Sequence, residues 1–146
     1  ALEVRHQTGR AGESVVRERY AALGCPARAV AFIEDMAEAY AWADLVVCRA
    51  GELTIAELAA AGLPAIMVPY PQATDDHQTG NAAYLADAGA AILLPQPELN
   101  DEALARELQR LGGDREVLLA MANRARELAV TDAAQQVARL CLEAAA

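Results

Sequence analysis

The chain has 146 residues, about half of them apolar and few aromatic, and a formal net charge of −9 at pH 7. That length suits one domain with a core of its own, without disulfide or metal staples. An acidic balance with no basic block argues against an electrostatic nucleic-acid partner or an anionic membrane face for this segment.

Cys25, Cys48 and Cys141 are far apart and lack paired spacing. This points away from a disulfide framework or a zinc site and towards a reducing cytosol, with each cysteine a small buried hydrophobe. No stretch approaches 18 consecutive apolar residues, and the first residues lack a charged-then-apolar layout, so neither a membrane span nor an export signal is expected.

In chain order, Leu2 to His6 alternates as a strand and opens into the polar exit Gln7 to Gly12. Val15, Val16, Arg19, Tyr20 and Leu23 follow helical spacing until Gly24, with Pro26 as a stop signal. Ala29 to Phe32 is the next expected strand, and Asp35 is placed to cap a short helix from Met36 to Trp42. Leu45 to Cys48 is a strand, Arg49-Ala50-Gly51 a turn, Leu53 to Ala61 a helix and Gly62-Leu63-Pro64 its stop. Ala65 to Val68 is a strand again, so a parallel βαβ unit follows.

Pro69 to Gln78 reads as a polar loop, and Asn81 to Ala88 as a helix with Tyr84 and Leu85 inward. Ala91 to Leu94 is a fifth strand. Asn100 caps a helix from Asp101 to Leu111. Asp114 opens a helix from Arg115 to Ala129, with Val117, Leu118, Met121, Ala125 and Leu128 as its stripe. Thr131 is the expected cap of a last helix reaching about Ala144. This order argues for a doubly wound α/β domain with a Rossmann-like parallel sheet. The Gly-rich turn expected after a first strand is not in the chain, so the chain reads as beginning at the second strand of such a sheet, and as a fragment.

Ligands of such sheets sit beyond the carboxyl ends of the strands, which here are Arg49 to Thr54 and Pro69 to Gln78. Gly51 permits a tight turn. The amides of Glu52, Leu53 and Thr54 then open a helix whose unpaired N–H groups and dipole suit phosphate, with the Thr54 hydroxyl as a further donor. An ordinary helix start with Thr54 acting locally has the same pattern. Glu57 lies three residues on, where a carboxylate can hold a vicinal diol or be a solvated helix residue. Glu52 beside a diphosphate repels it unless its side chain turns to water.

In the loop, Gln78 offers donor and acceptor together for sugar hydroxyls, and His77 could act as a base. With no second histidine nearby, a metal there is disfavoured. His6 reads as structural or exposed. Arg49 could meet a phosphate, but pairing with Asp44 or Glu52 is preferred. No nucleophile-with-base constellation is visible.

Four ordered segments resemble the MurG family of peptidoglycan glycosyltransferases: F-I-E-D-M from Phe32, A-D-L-V-V-C-R-A-G from Ala43, L-T-I-A-E-L-A-A-A-G-L-P from Leu53 and D-D-H-Q-T-G-N-A from Asp75. H-Q-T-G at His6 to Gly9 and the closing helices extend the resemblance through nearly the whole chain. The resemblance implies a GT-B fold, with residues 1–146 as most of its C-terminal, donor-binding domain and the N-terminal acceptor domain absent. It implies transfer of N-acetylglucosamine from UDP-N-acetylglucosamine to undecaprenyl-linked lipid I, making lipid II at the inner face of the cell membrane.

By position, Thr8 and the Ile33 backbone would lie near the uracil, Leu53 and Thr54 at the diphosphate, Glu57 at the ribose, and His77 and Gln78 at the N-acetylglucosamine. The resemblance implies no metal or other cofactor for the transfer, and a catalytic base and membrane contact from the missing domain. Glu52 departs from the small residue usual at its position, and Gly80 from a bulkier one. The alternatives are a non-catalytic nucleotide-sugar-binding module, a subunit of a split transferase, or a UDP-sugar epimerase of the same fold.

Overall fold

The computed structural model describes residues 2–144. The chain divides into two compact units, residues 1–42 and 43–146. All strand pairings are parallel, and they form two sheets rather than one, a two-stranded sheet in the first unit and a three-stranded sheet in the second.

In the first unit, β1 (Val4–Gln7) and β2 (Ala27–Val30) run in register from Val4 opposite Ala27 to Gln7 opposite Val30. β2 therefore starts two residues earlier than expected and leaves Phe32 beyond its end, 68% exposed. The pairing begins where the Val4 amide reaches the Pro26 carbonyl. Hydrogen-bond register, which apolar content does not reveal, fixed this strand.

Between the strands runs α1 (Glu13–Ala22), entered through Gly9 and left through Gly24, both at positive φ. No residue of α1 is buried. The Tyr20 hydroxyl lies 3.1 Å from His6 Nδ1, so His6 has the structural role expected of it. α2 (Met36–Trp42) is held at its start by Asp35, whose carboxylate accepts from the Glu38 amide at 2.8 Å. Arg5 pairs with Glu38 at 2.6 Å and stacks 4.2 Å from the centre of the Trp42 ring.

In the second unit, β4 (Ala65–Met67) lies between β3 (Val46–Cys48) and β5 (Ala91–Leu93). With a neighbour on each edge and helices packed about it, β4 is fully buried, as its continuous apolar run requires. The crossovers are α3 (Glu52–Ala61) and α4 (His77–Asp87). Then come α5 (Asp101–Gly112), α6 (Arg115–Glu127) and α7 (Ala133–Ala144). Ile66, Leu94, Leu111 and Met121 form the core, with Leu45, Ile92, Leu104, Leu108, Val117 and Leu118 packed on it. Asn100 caps α5 through the Ala103 amide at 2.8 Å, and Asp114 caps α6 through the amides of Glu116 and Val117.

Two arginines of α6 close the crossover helices. Arg126 donates to the Ala61 carbonyl at the end of α3, and Arg124 to the Gly89 carbonyl just past α4. Gly62 and Gly89 are left-handed there (φ 65° and 71°), and a Cβ would run into a guanidinium at each, 2.9 Å from Arg126 Nε at Gly62 and 2.5 Å from Arg124 Nη1 at Gly89. The glycines both turn the chain and let a cation approach carbonyls at the negative helix end.

Several expectations are corrected. α4 starts at His77, not Asn81, so His77 and Gln78 belong to a helix and not to a loop. Its inward residues are Ala82 and Leu85, whereas Tyr84, about 200° round from Ala82, is 52% exposed. The last helix starts at Ala133 directly after Asp132, so Thr131 is not its neighbour. Cys25 and Cys48 are half-buried and Cys141 is exposed, so none is a fully buried hydrophobe. The alanine-rich tail beyond Ala144 lies outside the described residues.

Candidate functional site

The mouth of α3 is built by Gly51, which is extended (φ −67°, ψ 148°) and supplies no side chain to cap the helix. The Ile55 amide is the first to bond back, to the Gly51 carbonyl, so the amides of Glu52, Leu53 and Thr54 precede the helical ladder. The Thr54 hydroxyl is turned to the same mouth, since a Cβ on Gly51 would meet it at 3.4 Å. Ile55, Leu58 and Ala59 are buried, which fixes the rotation of the helix. Thr54 and Glu57, three residues apart, then share the edge beside the buried stripe. Glu52, Leu53 and Glu57 are exposed and Thr54 is half-buried. Glu52 is exposed, so its side chain has room to turn to water, the condition under which a carboxylate there is compatible with an anion at the amides.

The first turn of α4 carries His77, exposed, and Gln78, half-buried. Before it, Asp75 and Asp76 both have positive φ, 53° and 51°, a conformation aspartate tolerates better than most residues. The Asp76 carboxylate accepts from the Thr79 hydroxyl at 2.7 Å. Gln78 reaches back across the turn, its Oε1 accepting from the Tyr70 amide at 2.9 Å. Asn81, to which the sequence reading gave no role, donates to the Ala50 carbonyl at 3.0 Å and so ties α4 to the turn that opens α3.

The first unit holds the other two predicted residues. Gln7 Oε1 accepts the Ile33 amide at 2.8 Å, which leaves the Ile33 carbonyl as the polar group that backbone can offer. The Thr8 hydroxyl lies within hydrogen-bond distance of the Gly9 (2.9 Å) and Val30 (3.1 Å) carbonyls, which share its one proton, and its oxygen keeps lone pairs to accept with. Gln7 was missed because a glutamine beside a strand end has no periodic signature.

Arg49 pairs with neither Asp44 nor Glu52, contrary to expectation. Its Nη1 donates to the carbonyls of Val68 (3.2 Å) and Pro69 (3.1 Å) and to Gln96 Oε1 (2.7 Å), and its guanidinium lies 5.5 Å from the Tyr70 ring centre. Beside it, burial pushes the Cys48 thiol up to about 11, so it stays protonated at neutral pH and is no nucleophile. Among the described residues no group of three or more His, Cys, Asp or Glu side chains is placed to hold a metal ion. Open cavities of about 470 and 300 Å³ lie against Asn100 to Glu102 and against α1, and neither is lined by the predicted site residues.

Parallel strands joined by crossover helices, with an uncapped helix mouth and polar side chains beyond the strand ends, define a Rossmann-like α/β domain, a fold whose ligands sit beyond the carboxyl ends of the strands. Comparison with known proteins narrows this. Residues 1–137 match the glycosyltransferase family 28 C-terminal domain, and the chain belongs to that family.

Among curated relatives, the UDP-N-acetylglucosamine--N-acetylmuramyl-(pentapeptide) pyrophosphoryl-undecaprenol N-acetylglucosamine transferase of Methylococcus capsulatus is 56% identical over 99% of this chain and 41% of its own length. The Aeromonas hydrophila protein of the same name is 58% identical over 96% of this chain and 39% of its own. The crystal structure of Acinetobacter baumannii MurG matches with a TM-score of 0.92 and 42% identity, covering 97% of this chain and 43% of that one. The chain thus spans about two fifths of the length of the curated relatives it matches. The expected Rossmann-like, GT-B C-terminal fold is borne out.

Proposed function

We propose that this chain is the donor-binding domain of an inverting hexosyltransferase that moves N-acetylglucosamine from UDP-N-acetylglucosamine to undecaprenyl-linked lipid I, giving lipid II for peptidoglycan. Identity above one half with curated transferases of that name across nearly the whole chain is the observation that carries this reading. The α3 mouth supplies chemistry that fits it.

In this reading the amides of Glu52, Leu53 and Thr54, with the Thr54 hydroxyl, hold the diphosphate. As the sugar–phosphate bond breaks, charge develops on the departing UDP, and fixed N–H dipoles at a helix mouth stabilise that charge without reorganising. Glu57 accepts hydrogen bonds from the ribose hydroxyls, and His77 and Gln78 contact the sugar. Thr8 and the Ile33 carbonyl, in the first unit, serve the uracil. The acceptor, the base that deprotonates it and the contact with the cytoplasmic membrane face belong to an N-terminal domain. Among the described residues, no helix is long and apolar enough to cross a membrane.

Isothermal titration of the full-length protein with UDP-N-acetylglucosamine tests this. Glu57→Ala should weaken binding about 10- to 100-fold, the worth of hydrogen bonds to a charged group. Unchanged affinity would remove Glu57 from the site.

A further inference from the structure

We infer that Arg49 is a positioning residue for donor-sugar recognition, acting through one peptide plane to aim the carboxamide of Gln78. The inference rests on the reading above that Gln78 contacts the sugar, and it adds how that contact is set and which way its hydrogen bond runs.

The link is the Pro69–Tyr70 peptide. Its carbonyl accepts from Arg49 Nη1 at 3.1 Å, and its amide donates to Gln78 Oε1 at 2.9 Å. A peptide unit is planar, and in the trans form its C=O and N–H point in opposite directions. There are no cis peptide bonds among the described residues. A guanidinium that fixes the carbonyl therefore fixes the direction of the amide on the far side.

Arg49 is well suited to this. It also holds the preceding carbonyl, Val68 O, and is itself steadied by Gln96 Oε1 and by the Tyr70 ring. Nη1 has two hydrogens for these three acceptors, so one is shared, and two successive carbonyls converge on a single always-charged nitrogen, which restrains the plane from rotating. Val68 is itself anchored, its amide donating to the Cys48 carbonyl at the end of β3.

The direction of the Gln78 bond follows from donor chemistry alone. A backbone N–H can only donate, so the Gln78 atom facing Tyr70 is its oxygen, which puts the two hydrogens of Nε2 on the other side of the carboxamide. Gln78 thus presents a donor to the sugar, and its partner there is a lone pair of a hydroxyl or of an amide carbonyl.

The test compares UDP-N-acetylglucosamine with UDP by titration of the full-length protein, the ratio of the two affinities being the contribution of the sugar. Gln78→Ala should lower that ratio about tenfold. Gln78→Glu, which can still accept from Tyr70 but cannot donate, should lower it as much. Arg49→Met should lower it by a similar factor with UDP affinity kept within about twofold, and should add nothing further in the Gln78→Ala background. Arg49→Lys, which keeps a donor and a charge, should fall between.

A purely structural arginine would weaken both ligands alike or add fully to Gln78→Ala, and either result overturns the inference. If Gln78→Ala leaves the ratio unchanged, the sugar contact itself is wrong and the inference falls with it. A readout without ligand is the side-chain amide resonance of Gln78, single and sharp in the parent and broadened in Arg49→Met. An unaltered resonance in that variant also overturns the role of Arg49.

Discussion

The two units are built from the same parallel strand–helix–strand pattern, yet they differ sharply in what they bury. In the second, β4 has a partner on each edge and Ala65, Ile66 and Met67 are wholly inaccessible. In the first, each strand has one partner, and among the described residues Ala29 and Ala39 are the only buried hydrophobics. A third strand lets a sheet have an interior, and in small sheets that interior is where most stability is gained.

The largest effect that can sharpen this contrast is at β4. Ile66→Ala should cost about 3–4 kcal/mol, measured as a lowered urea midpoint, because it combines lost transfer energy with a cavity in the tightest part of the molecule. A loss below about 1 kcal/mol would mean that the β4 core is loosely packed.

Next is alkaline destabilisation. The Cys48 thiol is raised by burial from 9.0 to about 11, so its protonated form is favoured by folding. Its contribution is fully present below pH 9, is lost as pH rises through 11 and is level above that, a decline on the order of 2 kcal/mol. Urea midpoints at several pH values should show that decline, and Cys48→Ala should lack it. Tyr20 in the first unit is also raised, by burial first and by Cys25 second, and adds a loss of the same sign at pH above its ordinary 10.0.

A smaller effect separates two glycines. Gly62→Ala should cost about 1–2 kcal/mol, since the residue is left-handed and a methyl group there displaces Arg126 from the end of α3. Gly80→Ala in α4, where a Cβ meets nothing within 4 Å, should raise stability by roughly 0.5–1 kcal/mol. Thermal unfolding of the two variants would test both signs. Smallest is Arg5→Ala in the first unit, where loss of the Glu38 pair and the Trp42 stack should amount to less than about 1 kcal/mol by the same measurement.

The parts of the fold legible in the sequence are those with a local signature. Apolar runs marked β3, β4 and β5, the last two flanked by glycine and proline, and Asp35, Asn100 and Asp114 marked helix starts through the amides they accept from. The start of α4 was not legible, because its first turn is polar and contains Gly80, so that the hydrophobic period begins only at Ala82. Arg49 was misread for a different reason. A sequence displays carboxylates as partners for a cation, but it does not display the carbonyls of Val68 and Pro69, which only strand geometry brings within reach. Of the candidate site, the helix mouth and Thr54 could be derived from spacing alone, whereas Thr8 and Ile33 entered through resemblance.

The arginine pair on α6 has a wider implication. Because Arg124 and Arg126 are two residues apart on one helix and each grips the far end of a different crossover, α6 works as a spacer that sets how widely α3 and α4 stand apart. Helices held at their ends by one neighbour move with it, so α6 gives the ends of α3 and α4 a common support.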